Sequence, residues 1–126
     1  MAAVARVVDQ AASNSANGAV IDTEHLARMT LGELSLQREV LALFDRQADI
    51  LLPRIRQGAP ALAAASAHTL KGSAAGIGAF RVARAAEHVE QAQSLERDAA
   101  LVAAVDTLAA MLDEAKAEIA RLLNAV

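Results

Sequence analysis

Apolar residues recur along most of the chain at spacings of three and four, the period of an amphipathic helix and not the alternation of a strand. Val4, Val7, Val8 and Ala11 keep this spacing briefly before the polar run Ser13 to Gly18, which reads as a loop, so the opening stretch is open to being a helix, a tail or a tether. Asp22 can cap a short helix that carries Leu26 and Met29 and ends near Gly32. From Ser35, a second plausible cap, the residues Leu36, Val40, Leu43, Phe44, Ile50 and Leu51 continue the helical period up to Gly58. Pro53 interrupts it, which predicts either a bend between Asp49 and Pro53 or two abutting helices.

Pro60 suits the first turn of a third segment that runs to the stop at Gly76-Ile77-Gly78. Phe80 to Ser94 forms the next helix, with Val82, Ala83, Ala86, Val89 and Ala92 as its apolar stripe. A short turn over Glu96 to Asp98 leads into a long last helix, capped by Asp98, with Leu101, Val105, Leu108, Leu112, Ala115, Ile119 and Leu122 in register. Short connections make consecutive helices antiparallel neighbours. The pattern therefore predicts an all-α, up-and-down antiparallel four-helix bundle with an additional short N-terminal helix. Residues 1–19 are the N-terminal segment or tether, and residues 20–126 the bundle domain.

Composition narrows the function classes. The 126 residues are 55% hydrophobic with only Phe44 and Phe80 as aromatics, which suits one aliphatic helical core. Cysteine is absent, so disulfides, thiolate metal sites and a cysteine nucleophile are excluded, and a cytoplasmic location is the default expectation. The opening residues lack the apolar run of a signal peptide, and no stretch approaches the ~20 apolar residues of a membrane span. Net charge is −3 with the signs interspersed, without the basic stripe and stacking aromatics of a nucleic-acid binder. A protein is the expected partner, with neither nucleic acid nor membrane.

The third segment carries the chemistry. At ~100° per residue, Ala61, Ala64, His68, Lys71, Gly72 and Ala75 share one face, and Leu62, Ser66, Thr69, Leu70, Ser73 and Ile77 the other. The second face is expected to pack into the bundle and the first to look outward. Apart from His68 and Lys71, the outward face is methyl or hydrogen, so the imidazole stands on a bare platform. Gly72 costs roughly 1 kcal/mol in mid-helix relative to alanine, and no turn explains it, which suggests that something approaches closely. A neutral imidazole is a nucleophile able to attack a phosphoryl group, and Lys71, one turn on, can partly neutralise phosphoryl oxygens. Folding back at Gly76 to Gly78 brings Glu87, Glu90 or Gln91 alongside His68, and a carboxylate there would fix the ring tautomer. Glu90 is preferred.

The run Ala67-His-Thr-Leu-Lys-Gly-Ser-Ala-Ala-Gly-Ile-Gly-Ala79 resembles the signature of histidine phosphotransfer (HPt) domains. Ile21 to Met29, Glu39 to Phe44 and Arg81 to Glu90 also follow the pattern of that family, so the resemblance covers roughly residues 20 to 95, and the last helix matches only in character. The resemblance implies that His68 is phosphorylated, that Lys71 stabilises the phosphate, and that Glu90 bonds to the imidazole. It makes Gly72 the gap that admits a receiver domain, with Ala64 and Ala75 on the same docking platform, and Ser73 mainly a packing residue. The implied partners are receiver domains of a hybrid histidine kinase and of a response regulator. Their aspartate and magnesium ion complete the transfer, so the chain needs no cofactor of its own. It carries no ATP-binding domain, hence a phosphocarrier and not a kinase.

Two other readings use the same residues. One is a non-phosphorylated helical adaptor that binds a receiver domain through the small-residue face. The other is a metal-binding bundle, which the spacing does not favour: no inward Glu-x-x-His pair is present, Glu87 and His88 are adjacent, and no metal ligands are assigned. His25 and His88 are expected to be structural or surface residues, and Arg81 and Arg84 solvated charges.

Overall fold

The computed structural model describes residues 19–94 and 98–125. Among these residues five helices follow one another: α1 (Thr23–Met29), α2 (Leu34–Gln57), α3 (Pro60–Gly76), α4 (Phe80–Ser94) and α5 (Asp98–Asn124). The last four pack as a closed antiparallel ring in which α2 and α4 each touch both α3 and α5, with α1 laid against one end. The all-α bundle with a short extra N-terminal helix is thus the observed architecture. The expectations for residues 1–18, and for the turn over Glu96 and Arg97, lie outside the described residues. Among the described residues no helix is long and apolar enough to cross a membrane.

Local chemistry sets the boundaries. The Asp22 carboxylate accepts the His25 backbone N–H at 3.1 Å and caps α1, as its sequence position suggests. Past α1, Leu31 and Gly32 both take positive φ (54° and 74°), and the Glu33 N–H bonds to the Thr30 carbonyl. This turn returns the chain to extended backbone at Glu33, so α2 starts at Leu34, and Ser35 lies inside the first turn and is not the cap. Pro53 does not split α2, which runs through to Gln57. The proline is on the exposed side, while Ala48, Leu51 and Ile55 stay in register on the core, and their burial outweighs one missing backbone bond.

The core is read off in strict three–four spacing. On α2 it is Leu41, Phe44, Ala48, Leu51 and Ile55; Leu36 and Val40 are half-buried, while Leu43 and Ile50, expected in the stripe, are 57% and 54% exposed. On α3 the buried face is Ala63, Ser66, Ala67, Leu70, Ala74 and Ile77. Leu62 and Thr69 are exposed, contrary to expectation, and Ser73 is half-buried. The helix turns its alanines inward because small side chains let α3 approach its neighbours closely, a gain that orienting Leu62 inward would forfeit. Val82, Ala85, Ala86, Val89 and Ala92 of α4, and Val105, Leu108, Leu112, Ala115 and Ile119 of α5, complete the core.

The α3–α4 turn fixes the relative height of the two helices. Gly78 has φ +85°, and its carbonyl accepts the Asp22 N–H at 2.9 Å; a Cβ on Gly78 would lie 2.6 Å from the Asp22 carbonyl oxygen. Glycine is required there both for conformation and for room.

Candidate functional site: the exposed face of α3

With Gly76 to Gly78 as the turn, Glu90 on α4 lies level with His68 on α3. Its Oε2 is 3.1 Å from His68 Nδ1. A carboxylate accepts only, so Nδ1 carries the hydrogen, and Nε2 is left with its lone pair. The side chain is 69% exposed, so the ring stays open to an incoming group. Glu87 and Gln91, the other residues at that height, are exposed on α4, and the contact falls on Glu90.

The second oxygen of the same carboxylate, Oε1, is 2.9 Å from Lys71 Nζ and is shut off from solvent. Partial burial pushes the Glu90 carboxyl up, but hydrogen bonding to Lys71 and then to His68 outweighs it and holds the group below its ordinary value of 4.5. Glu90 is therefore ionised at neutral pH. One carboxylate on α4 holds both polar side chains of the α3 face.

Around these groups the face is bare. Ala61 and Gly72 are exposed, Ala64 and Ala75 half-buried, and a Cβ built on Gly72 meets no atom within 4 Å. Among the described residues nothing requires a glycine at 72, in contrast to Gly78. Among the described residues no group of three or more histidine, aspartate or glutamate side chains is placed to hold a metal ion. His25 packs edge-on against Phe80 with centroids 5.1 Å apart; Arg81 pairs with Glu114 at 3.2 Å. Arg84 and His88 are exposed beside α5.

Two features escaped the sequence. The Lys71–Glu90 ion pair did, because spacing along α3 relates Lys71 to His68 and carries no sign of a partner on α4. So did an open groove of about 640 Å³ between α2 and α3, lined by Leu43, Ile50, Leu62 and Thr69 with Arg46 and Arg54 at its edge. A second apolar stripe on α2, Leu43 and Ile50 seven residues apart, was the signal for it.

A model of the Hpt domain matches residues 35–118, two thirds of the chain, including all of α3 and α4. The chain belongs to the Hpt domain family. Hpt domains are phosphocarriers that work with receiver domains in phosphorelays, and they are not kinases. The crystal structure of a rice protein assigned as a histidine-containing phosphotransfer protein superposes with a TM-score of 0.76 at 21% identity, over 97% of this chain and 94% of that one. That likeness establishes the shared Hpt bundle. A comparison with curated protein sequences gives no match.

Proposed function

We propose that this Hpt domain carries the phosphoryl group on Nε2 of His68, accepting it from a receiver-domain aspartate and passing it to the aspartate of a response regulator. The observation that supports this most is the division of labour on one imidazole: Nδ1 is held by Glu90 while the ring stands largely exposed on a face of methyls and hydrogen, which leaves Nε2 for the phosphoryl group.

In the forward step the Nε2 lone pair attacks phosphorus, and the phosphorus–oxygen bond to the partner aspartate breaks with its electron pair returning to that carboxylate. No proton leaves: Nδ1 keeps its hydrogen, the ring becomes cationic, and the Glu90 carboxylate balances the new charge. Lys71 neutralises phosphoryl oxygens. The reverse step returns the bond pair to Nε2. Ala64, Gly72 and Ala75 form the docking floor, with Gly72 giving the receiver room to approach. The receiver supplies the magnesium ion, the Hpt chain has no cofactor of its own, and the exchange takes place in the cytoplasm.

The test is transfer from a radiolabelled receiver domain to this protein, run beside His68→Gln. Acid-labile, base-stable label on the wild type and none on the variant is the expected result. Equal labelling of both would overturn the assignment, and binding of receivers without any labelling would favour an adaptor.

A further inference from the structure

Lys71 cannot serve phosphoryl oxygens and Glu90 equally at the same moment, and in the unphosphorylated protein it is 2.9 Å from Glu90 Oε1. We infer that the Lys71–Glu90 ion pair is a built-in competitor of the phosphoryl group, so that Glu90 weakens phosphorylation of His68 by holding Lys71 until the phosphoryl group draws it away.

Three observations support the competition, which rests on the phosphocarrier reading given above. Lys71 and His68 sit on the same face of α3, three residues apart, so a long flexible ammonium can reach either side of the ring. The oxygen that Lys71 contacts is removed from water, which makes that contact more favourable than an open surface pair. The Lys71 side chain is itself one third exposed, so it is free to swing outward. Before transfer, Glu90 therefore contacts Lys71 and His68 together; after transfer the ammonium goes to the dianionic phosphoryl group, and Glu90 is left to the cationic ring. The same carboxylate thus has two opposed effects. It stabilises the phosphorylated ring through Nδ1–H, and it opposes phosphorylation through Lys71. A phosphocarrier that must both accept and release its cargo benefits from this balance, because neither state is held too firmly.

Glutamine at position 90 separates the two effects, since its carbonyl still accepts from Nδ1–H but it forms no ion pair with Lys71. The experiment is a double-mutant cycle of wild type, Lys71→Ala, Glu90→Gln and the double variant, each equilibrated with phosphoramidate and read for phosphohistidine by 31P NMR, with circular dichroism as the check on the fold. The expected result is that removing Lys71 lowers the phosphorylated fraction more when residue 90 is glutamine, by a factor of about three in the equilibrium constant, the size of one partly exposed ion pair. An equal loss in both backgrounds would overturn the competition. A smaller loss with glutamine would overturn it in the opposite sense, by making Glu90 the group that pre-positions Lys71 for phosphate. Absence of phosphohistidine from all four proteins would instead count against the phosphocarrier reading itself.

Discussion

Among the described residues an ionic cluster bridges helices on the α2–α5 seam and another on the α3–α4 seam, and they differ in what they leave unused. On the α2–α5 seam, Lys116 Nζ lies 2.7 Å from both the Asp45 and the Asp49 carboxylates, which are four residues apart on α2. On the α3–α4 seam, Glu90 takes the central place, with His68 at 3.1 Å and Lys71 at 2.9 Å. In the first cluster one ammonium is shared by two carboxylates, and each of the three groups is taken up by a contact within the chain. In the second, one of the three groups is an imidazole whose remaining nitrogen has no role in the fold. A cluster that ties helices together and a cluster that also prepares a nucleophile are thus built from the same parts. The difference is one histidine and the bare face around it.

The contrast can be broken most severely at the glycines. Gly72→Gln should lower transfer from a receiver domain by about a hundredfold, as expected when a reacting pair is held apart, while the thermal midpoint stays near that of the wild type. Gly78→Ala should do the reverse: it forces a Cβ towards the Asp22 carbonyl and a strained positive φ, costing about 1–3 kcal/mol in denaturant unfolding. Wild-type transfer rates in Gly72→Gln would remove the close-approach argument.

The two lysines give the next effect. Lys71→Ala should slow phosphoryl transfer about tenfold, the scale of one charge-assisted contact to a phosphoryl oxygen. Lys116→Met should leave transfer unchanged and lower stability by about 0.5–1 kcal/mol, a value kept small because both aspartates are well exposed. If Lys116→Met slowed transfer as much as Lys71→Ala, the two clusters would not be separable.

A smaller effect is expected from pH, at opposite ends of the scale. The Glu90 carboxyl is held below 4.5, so its stabilising contribution is complete above that value and is lost as the pH falls through its lower folded value. For Lys116, burial pushes the ammonium down, but the hydrogen bonds it donates to Asp45 and Asp49 prevail and raise it above 10.5. Its contribution is complete below 10.5 and is lost as the pH rises through the raised value. Thermal midpoints across pH should show Glu90→Gln flattening the acid limb and Lys116→Met the alkaline limb. The smallest effect is Gly72→Ala, which should stabilise the bundle by up to about 1 kcal/mol, because a methyl there meets nothing and mid-helix glycine is costly.

The order of the helices among the described residues was legible in the sequence because the apolar period survives wherever packing is long-range, as on α5 from Val105 to Ile119. The facing of α3 was harder to read. Its buried side is mostly alanine, and side-chain size favours Leu62 inward where the bundle places Ala63, Ala67 and Ala74. The start of α2 was displaced by the paired positive φ values at Leu31 and Gly32, for which a leucine gives no warning. At the site, counting residues on either side of the turn narrowed the partner of His68 to Glu87, Glu90 or Gln91, and the preference for the carboxylate of Glu90 agrees with the observed contact. The bond from Lys71 to that same carboxylate did not, because spacing along one helix says nothing about which of two acceptors a flexible side chain takes.

The central claim is that Nε2 of His68 is the phosphoryl acceptor because Nδ1 is committed to Glu90. Its most direct test is NMR of the protein with 15N-labelled histidine, taken before and after phosphorylation by a receiver domain. Coupling of phosphorus to Nε2 of His68, with Nδ1 still protonated, is the predicted result; phosphorus on Nδ1, or on His25 or His88, would contradict it.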